Sequence, residues 1–236
     1  MNLYFNRLKL IAIAFLIVFG GNNAFVKSVT AQSLKTKSTA KKIAARTPQN
    51  GASAVKNVQT AVFAGGCFWG LEAVFEHLKG VKEVTNGYSG GAAKTADYDL
   101  VSEGDTGHAE SVKIIFDSSQ ISYAQLLKVF FAVAHDPTEL NRQGPDTGTQ
   151  YRSAIFYSGE DQKTLAEKYI AELTAAKNFT KPIVTQIVPL KAFYAAEAYH
   201  QNYLVNHPNQ PYIVINDQPK VEDLKKQFPD LYVEKN

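Results

Sequence analysis

Gly65-Gly66-Cys67-Phe68-Trp69-Gly70 carries the only cysteine and the only tryptophan of the 236-residue chain. The run before it, Thr60-Ala61-Val62-Phe63-Ala64, is short, apolar and β-prone, which predicts a buried strand. After it come apolar residues at Leu71, Val74, Phe75 and Leu78, the spacing of one helix face. Paired glycines between the two predict a tight turn, so Cys67 falls at or just before the first turn of a helix. There the free backbone N–H groups and the positive end of the helix dipole favour an anion, and the thiol is expected to titrate below its usual ~8.5. A competing reading is that Cys67 only packs, since free cysteine is among the most buried residue types.

Working outward, Gly80–Tyr88 predicts a turn and a strand, ended by Ser89-Gly90-Gly91. Residues 92–108 read as loop, with one helical turn over Tyr98–Glu103. Ala109–Phe116 alternates as a strand, Ser111, Lys113 and Ile115 against Glu110, Val112, Ile114 and Phe116, and so forms a hairpin-like pair with the strand before it. Ser122 is placed to cap a helix over Tyr123–Ala134. His135–Tyr151, dense in Gly, Asp, Asn, Gln and Pro, is too long for an idle connection and reads as a functional loop. Then follow a strand over Arg152–Tyr157 and an amphipathic helix from Ser158 to Lys177, with Leu165, Tyr169, Leu173 and Ala176 on one face. A strand over Ile183–Val188 and a helix over Phe193–Val205 come next. The tail from Pro208 reads as irregular, with a short helix over Val221–Phe228. Interspersed helices and strands with a hairpin predict an α+β fold, a mixed and mostly antiparallel sheet flanked by helices in a two-layer sandwich.

All 22 acidic residues lie at or beyond Glu72, whereas nine of the 25 basic ones precede it. The net charge of +3 therefore belongs to the N-terminus; the body is acidic and gives no reason to expect a nucleic-acid surface. Arg7 and Lys9, the apolar run Leu10–Phe19 and the small residues Val29-Thr30-Ala31 make residues 1–31 a secretory signal or, uncleaved, an anchor through residues 10–25. The protein is thus expected outside the cytoplasm. Residues 32–58, rich in Lys, Ala, Ser and Thr, read as a basic disordered linker, and residues 59–236 as the folded domain. One cysteine excludes an internal disulfide framework, and the five histidines show no metal-ligand spacing, so no metal is expected.

Glycine and ionisable residues concentrate in Gly65–Gly70, Gly87–Gly91, Gly104–Glu110 and Gly144–Arg152. In that order, from about Ala61 to Leu204, GGCFWG, GYSGG, GDTGHAE and GTQYRSAIFY resemble the A-type peptide methionine sulfoxide reductases. The resemblance implies that Cys67 is the catalytic nucleophile and that Glu110 protonates the sulfoxide oxygen. It implies that Tyr98 and Tyr151 hydrogen-bond that oxygen, that Phe68 and Trp69 enclose the S-methyl group, and that Asp146 belongs to the substrate site. It further implies selectivity for the S epimer, free or in oxidised proteins and peptides, no bound cofactor, and an external thiol reductant such as a thioredoxin-like protein or glutathione. A monomer is expected.

The chemistry of these residue types agrees. Sulfoxide oxygen leaves poorly until protonated, so a thiolate must attack sulfur while an acid serves the oxygen. Glu110 can be that acid only if apolar surroundings raise its pKa. Blander roles stand beside these: Tyr98 as packing, Asp146 as a turn former, Trp69 as a core anchor, His200 as a cap on the core. The chain departs from many family members in having no cysteine in residues 205–236, so Cys67 must be regenerated by an outside thiol, and the site is expected to be more open. Two other readings remain. His200, 133 residues after Cys67, and the asparagines at 202 and 206 suit a papain-like cysteine peptidase, although Phe-Trp-Gly follows the cysteine. A non-catalytic module binding oxidised methionine would leave Cys67 merely packed.

Overall fold

The computed structural model describes residues 57–235. The leader assigned to residues 1–31, and the linker up to residue 56, lie outside the described residues. The elements run β1 (Val58–Ala64), α1 (Phe68–Glu76), β2 (Val81–Ser89), α2 (Tyr98–Ser102) and β3 (Ala109–Asp117). Helix α3 (Tyr123–Val129) continues as a π-helical turn over Phe130–Ala134. Next are the two-residue strands β4 (Arg142–Gln143) and β5 (Asp146–Thr147), then β6 (Ala154–Tyr157), α4 (Glu160–Ala175), β7 (Gln186–Pro189) and β8 (Phe193–Ala195). The chain closes with α5 (Tyr203–Asn206), a π-helical turn over Ile213–Asp217, and α6 (Gln218–Gln227).

Strands β7-β6-β1-β3-β2-β8 form one sheet, antiparallel throughout except for the β6–β7 pair. This is the expected α+β architecture. From Ala61 to Ala64, β1 is buried on both faces, as its continuous apolar run requires. Ala61 and Phe63 join the large core under the helices, and Val62 and Ala64 a smaller cluster with Ala109, Ala154 and Phe156 on the other face. Phe63 stacks on Phe130 at 4.9 Å and lies against Phe75 and Tyr123 at 5.6 and 5.8 Å. Burying such a ring is worth about 1.5–3 kcal/mol. Leu71, Val74, Phe75 and Leu78 are all buried, so the helical spacing after Cys67 holds. Ser122 caps α3 in a reciprocal capping box with Gln125.

Four expectations are corrected. Residues 193–205 are not one helix: Phe193–Ala195 pairs with Gly87–Ser89 as an edge strand, a 3₁₀ turn follows over Ala198–His200, and only Tyr203–Asn206 is α-helical. Satisfying the open edge of β2 outweighs the local helical pattern. On α4 the buried stripe passes through Ala166 and Leu173, with Tyr169 and Ile170 packed on the core, while Leu165 is 39% exposed. The strand expected over 183–188 lies at Gln186–Pro189, its register set by parallel pairing with Ala154–Tyr157. The tail is not irregular, for Ile213–Gln227 is continuously helical, with Pro219 in the first turn of α6. Among the described residues no helix is long and apolar enough to cross a membrane.

Candidate active site

Strand β1 delivers the chain to Gly65-Gly66, and Gly66 takes φ +95°, a turn conformation that a side chain would strain. Cys67 follows as the N-cap residue of α1. On the adjacent strand β3, Glu110 pairs with Tyr88, and its Oε2 accepts the Phe68 N–H at 3.0 Å. One helix start thus presents a sulfur and holds a carboxyl beside it.

The two groups are buried, Cys67 8% and Glu110 3% exposed. Burial pushes Glu110 up to about 8, against the Phe68 N–H, which favours its ionised form; Asp146 and Asp217 push it further up. The apolar setting that an acid requires is therefore present. The thiol departs from expectation: burial, and then the charges of Glu110 and Asp217, hold Cys67 well above the usual thiol range. Its helix-start position does act downward, through the Trp69 N–H, as does Lys220, but burial outweighs both. The resting pair is a thiol and a carboxylic acid whose protons are coupled, because ionising either opposes ionising the other.

Phe68 is fully buried and Trp69 half-buried, their rings 6.4 Å apart. Tyr98 opens α2, with its ring 4.3 Å from His200. Burial raises its hydroxyl, and Glu110 and then Cys67 add to the shift. Tyr151, in a 3₁₀ turn, is raised by burial and by Glu110, Asp146, Tyr98 and Cys67, so both tyrosines stay protonated donors close to the acid and the sulfur. Asp146, on β5, accepts a hydrogen bond from the Tyr212 hydroxyl. Hydrogen bonds, ring contacts and charge interactions thus link all seven residues proposed from the sequence into one cluster.

Several participants were missed by the sequence reading. His200 is more than a cap: its Nδ1 accepts from Trp69 Nε1 at 3.1 Å, and its ring lies against Phe68 and Tyr98. Tyr203 stacks on Trp69 at 3.6 Å, tilted by 5°, and Tyr212 meets the indole edge-on at 6.0 Å. Asp217, 0% exposed, pairs with Lys220 Nζ at 3.1 Å. That pair lies against α1 at Gly70, where a Cβ would come within 2.7 Å of Lys220 Nζ and run into Asp217 Oδ1. The tail without cysteines thus fills the site rather than opening it. Pro219 after Asp217-Gln218 is a local cue for helix in the tail, but nothing local places Asp217 or Lys220 against α1.

The cysteine–histidine pair of a peptidase is not formed. The charges acting on Cys67 are carboxylates and Lys220, and His200 Nδ1 is engaged by Trp69. No group of three or more His, Cys, Asp or Glu among the described residues is arranged to hold a metal ion.

The family model described as peptide methionine sulfoxide reductase matches residues 59–232. A peptide methionine sulfoxide reductase MsrA 2 of Mesorhizobium japonicum is 56% identical over 177 residues, covering 75% of this chain and 91% of that protein. One of the same name from Synechocystis is 50% identical over 175 residues, covering 74% and 82%. Among solved structures, reduced Mxr1 of Saccharomyces cerevisiae aligns with a TM-score of 0.61 at 33% identity, covering 65% of this chain and 88% of that one. Methionine sulfoxide reductase A of Corynebacterium diphtheriae aligns at 0.58 and 34% identity, covering 66% and 78%. With its fold, its motifs and most of its length matched, the chain belongs to the peptide methionine sulfoxide reductase family.

Proposed function

We propose that this protein reduces methionine S-sulfoxide to methionine, free and in oxidised proteins, with Cys67 as nucleophile and Glu110 as general acid. The observation that carries the reading is a buried carboxyl, protonated up to about pH 8, held at the helix start that presents the thiol. Glu110 gives its proton to the sulfoxide oxygen while Cys67 sulfur attacks the substrate sulfur. The S–O bond breaks, the hydroxyl passes to Cys67 as a sulfenic acid, methionine leaves, and the thiol's proton returns to Glu110. No resting thiolate is needed, because the thiol loses its proton only as it attacks, to the carboxylate that Glu110 becomes once it has protonated the oxygen. Tyr98 and Tyr151 donate to the oxygen as charge develops on it. Phe68 and Trp69 receive the S-methyl group, and Asp146 binds the substrate beyond the sulfoxide.

Regeneration takes two thiols. The first forms a mixed disulfide with Cys67 and releases water; the second frees Cys67 and leaves as a disulfide with the first. The single cysteine makes the donor external, a thioredoxin-like protein or a small thiol such as glutathione. Reductant-free protein given excess methionine-sulfoxide peptide is expected to release one methionine per chain and to take one dimedone on Cys67. Dithiothreitol is expected to restore turnover, seen by mass spectrometry as repeated loss of about 16 Da from the peptide, the mass of the oxygen removed. Cys67→Ser is expected to do neither. Turnover by Cys67→Ser, or peptide cleavage in place of oxygen loss, overturns the proposal.

A further inference from the structure

Glu72 lies one turn beyond Trp69 on α1 and is 2% exposed, yet the chemistry above does not use it. Its carboxylate reaches out of the helix to a chain segment 130 residues away, where Oε1 accepts the Asn202 N–H at 2.9 Å and Oε2 the Tyr203 N–H at 3.4 Å. Asn202 is in the left-handed region at φ 54°. Asparagine tolerates that conformation better than most residues, but only a partner for its N–H makes the turn worth forming here. The turn sends the Tyr203 ring flat onto Trp69, and His207 covers the other face of that ring at 4.2 Å, tilted by 8°. The indole is thus fixed three ways: by the Tyr203 stack, by its N–H bond to His200, and by the helix that it shares with Glu72.

We propose that Glu72 is a positioning residue for Trp69: its buried carboxylate holds the Asn202–Tyr203 turn, and the turn holds Tyr203 against the indole that walls the sulfoxide methyl pocket. The last clause rests on the function proposed above; the link from Glu72 to Trp69 does not. A neutral carboxyl is a weaker acceptor than a carboxylate for two N–H groups, so the clamp depends on ionisation. Burial, reinforced by the nearby Glu76, pushes Glu72 up to about 7, and the Asn202 and Tyr203 N–H groups and the Asn86 amide pull it down. The clamp therefore tightens as pH rises through neutrality. Other ionisable groups nearby are Glu76, at the end of α1, and His77, just past it, which line a small cavity with Glu72, and His207, just past α5. From the C-terminal segment, Lys235 acts on Glu76, and Tyr232 stacks on His77.

Trp69 is the only tryptophan, so its emission reports the clamp directly, with or without turnover. Wild-type emission is expected to include a step with a midpoint near pH 7, distinct from any change that Glu110, pushed up to about 8, or His200 on the indole N–H brings. In Glu72→Gln that step is expected to vanish, with acrylamide quenching of Trp69 increased, KM for the sulfoxide raised about three- to tenfold, and kcat changed less than threefold. Tyr203→Leu, which removes the stack and keeps the carboxylate, is expected to give the same KM rise and quenching. It serves as the test if Glu72→Gln does not fold. A purely structural Glu72 would lower the melting temperature alone. Wild-type emission flat across pH 6–8 overturns the proposal, as does a step that survives in Glu72→Gln and disappears in His207→Gln. Absence of sulfoxide reduction alongside the expected emission changes would overturn the function and leave the clamp standing.

Discussion

The part of the candidate site carrying Cys67 and Glu110 is regular structure, whereas the part running from Glu197 to Tyr212 holds only short helical turns. In the first, β1, α1, β2 and β3 fix each side chain through ladder register and helix phase; Glu110 stands where it does because it pairs with Tyr88. In the second, single side chains bridge distant backbone. Asn86 Nδ2 donates to His200 O at 2.8 Å, Gln201 Nε2 to Asn86 O at 3.1 Å, and Glu72 accepts from Asn202 and Tyr203. Glu197 accepts from the Tyr88 hydroxyl at 2.8 Å and the Tyr98 N–H at 3.0 Å. A wall built this way can be altered one bond at a time, whereas the other moves as a unit.

The sharpest way to break this contrast is at Glu110. Glu110→Gln keeps the shape, and its carbonyl still accepts the Phe68 N–H, but it has no proton to give. Sulfoxide reduction is expected to slow about 10²–10⁴-fold, the usual worth of general acid catalysis. In the wild type kcat/KM is expected to fall as pH rises through about 8, the pH to which Glu110 is pushed up, and that limb should be missing from the variant. Wild-type stability should fall over the same rise in pH. The folded pKa lies above the ordinary 4.5, so folding favours the protonated form, and the cost of ionising Glu110 sets in above the unfolded pKa and is complete above about 8. Glu110→Gln escapes that cost, so its melting temperature relative to wild type should be higher at pH 9 than at pH 5. Turnover within tenfold of wild type would assign the proton to a tyrosine or to water.

The same contrast explains what the sequence disclosed. The apolar run ending at Ala64, the glycine pair, the stripe of Leu71, Val74, Phe75 and Leu78, and the Ser122 cap are local patterns, and each forms as read. That Cys67, Glu110, Tyr98, Tyr151, Phe68, Trp69 and Asp146 cluster was legible because motifs carry them. Their charge states were only half legible: the helix-start argument for Cys67 omitted its burial first, and then the carboxylates that the sheet and the tail bring to it. Tyr203, Tyr212, Asp217 and Lys220 were illegible because their partners, Trp69, Asp146 and α1 at Gly70, lie 66 or more residues away. No periodicity encodes a contact of that kind.

A smaller effect separates the charges of the tail. Asp217 holds the Cys67 thiol up and Lys220 draws it down, so their removal should act in opposite senses. Alkylation of Cys67 by iodoacetamide at pH 7 is expected to quicken about three- to tenfold in Asp217→Asn and to slow by a similar factor in Lys220→Gln. Lys220→Gln also leaves a fully buried carboxylate unpaired, and should unfold more easily than the double variant carrying both changes. Both single variants shifting alkylation in the same direction would mean that access to the thiol, rather than charge, controls it.

The smallest expected effect lies at the bond joining the tail to the loop before β6. The Tyr212 hydroxyl donates to Asp146 while its ring meets Trp69 edge-on at 6.0 Å. Tyr212→Phe keeps the ring and its packing and removes one donor. Such a bond is worth about 0.5–1.5 kcal/mol net, or roughly two- to twelvefold in an equilibrium or rate constant. Burial already holds the Asp146 carboxyl above its ordinary value, and the Tyr212 hydroxyl opposes that rise, so the variant should carry Asp146 higher still. If Asp146 binds substrate as a carboxylate, kcat/KM for a sulfoxide peptide should fall two- to tenfold, and more at pH 5 than at pH 8, because the variant's Asp146 holds its proton more readily. A loss above a hundredfold at both pH values would instead give the Tyr212 hydroxyl a direct part in the reaction. It would also mean that the irregular wall supplies chemistry as well as shape.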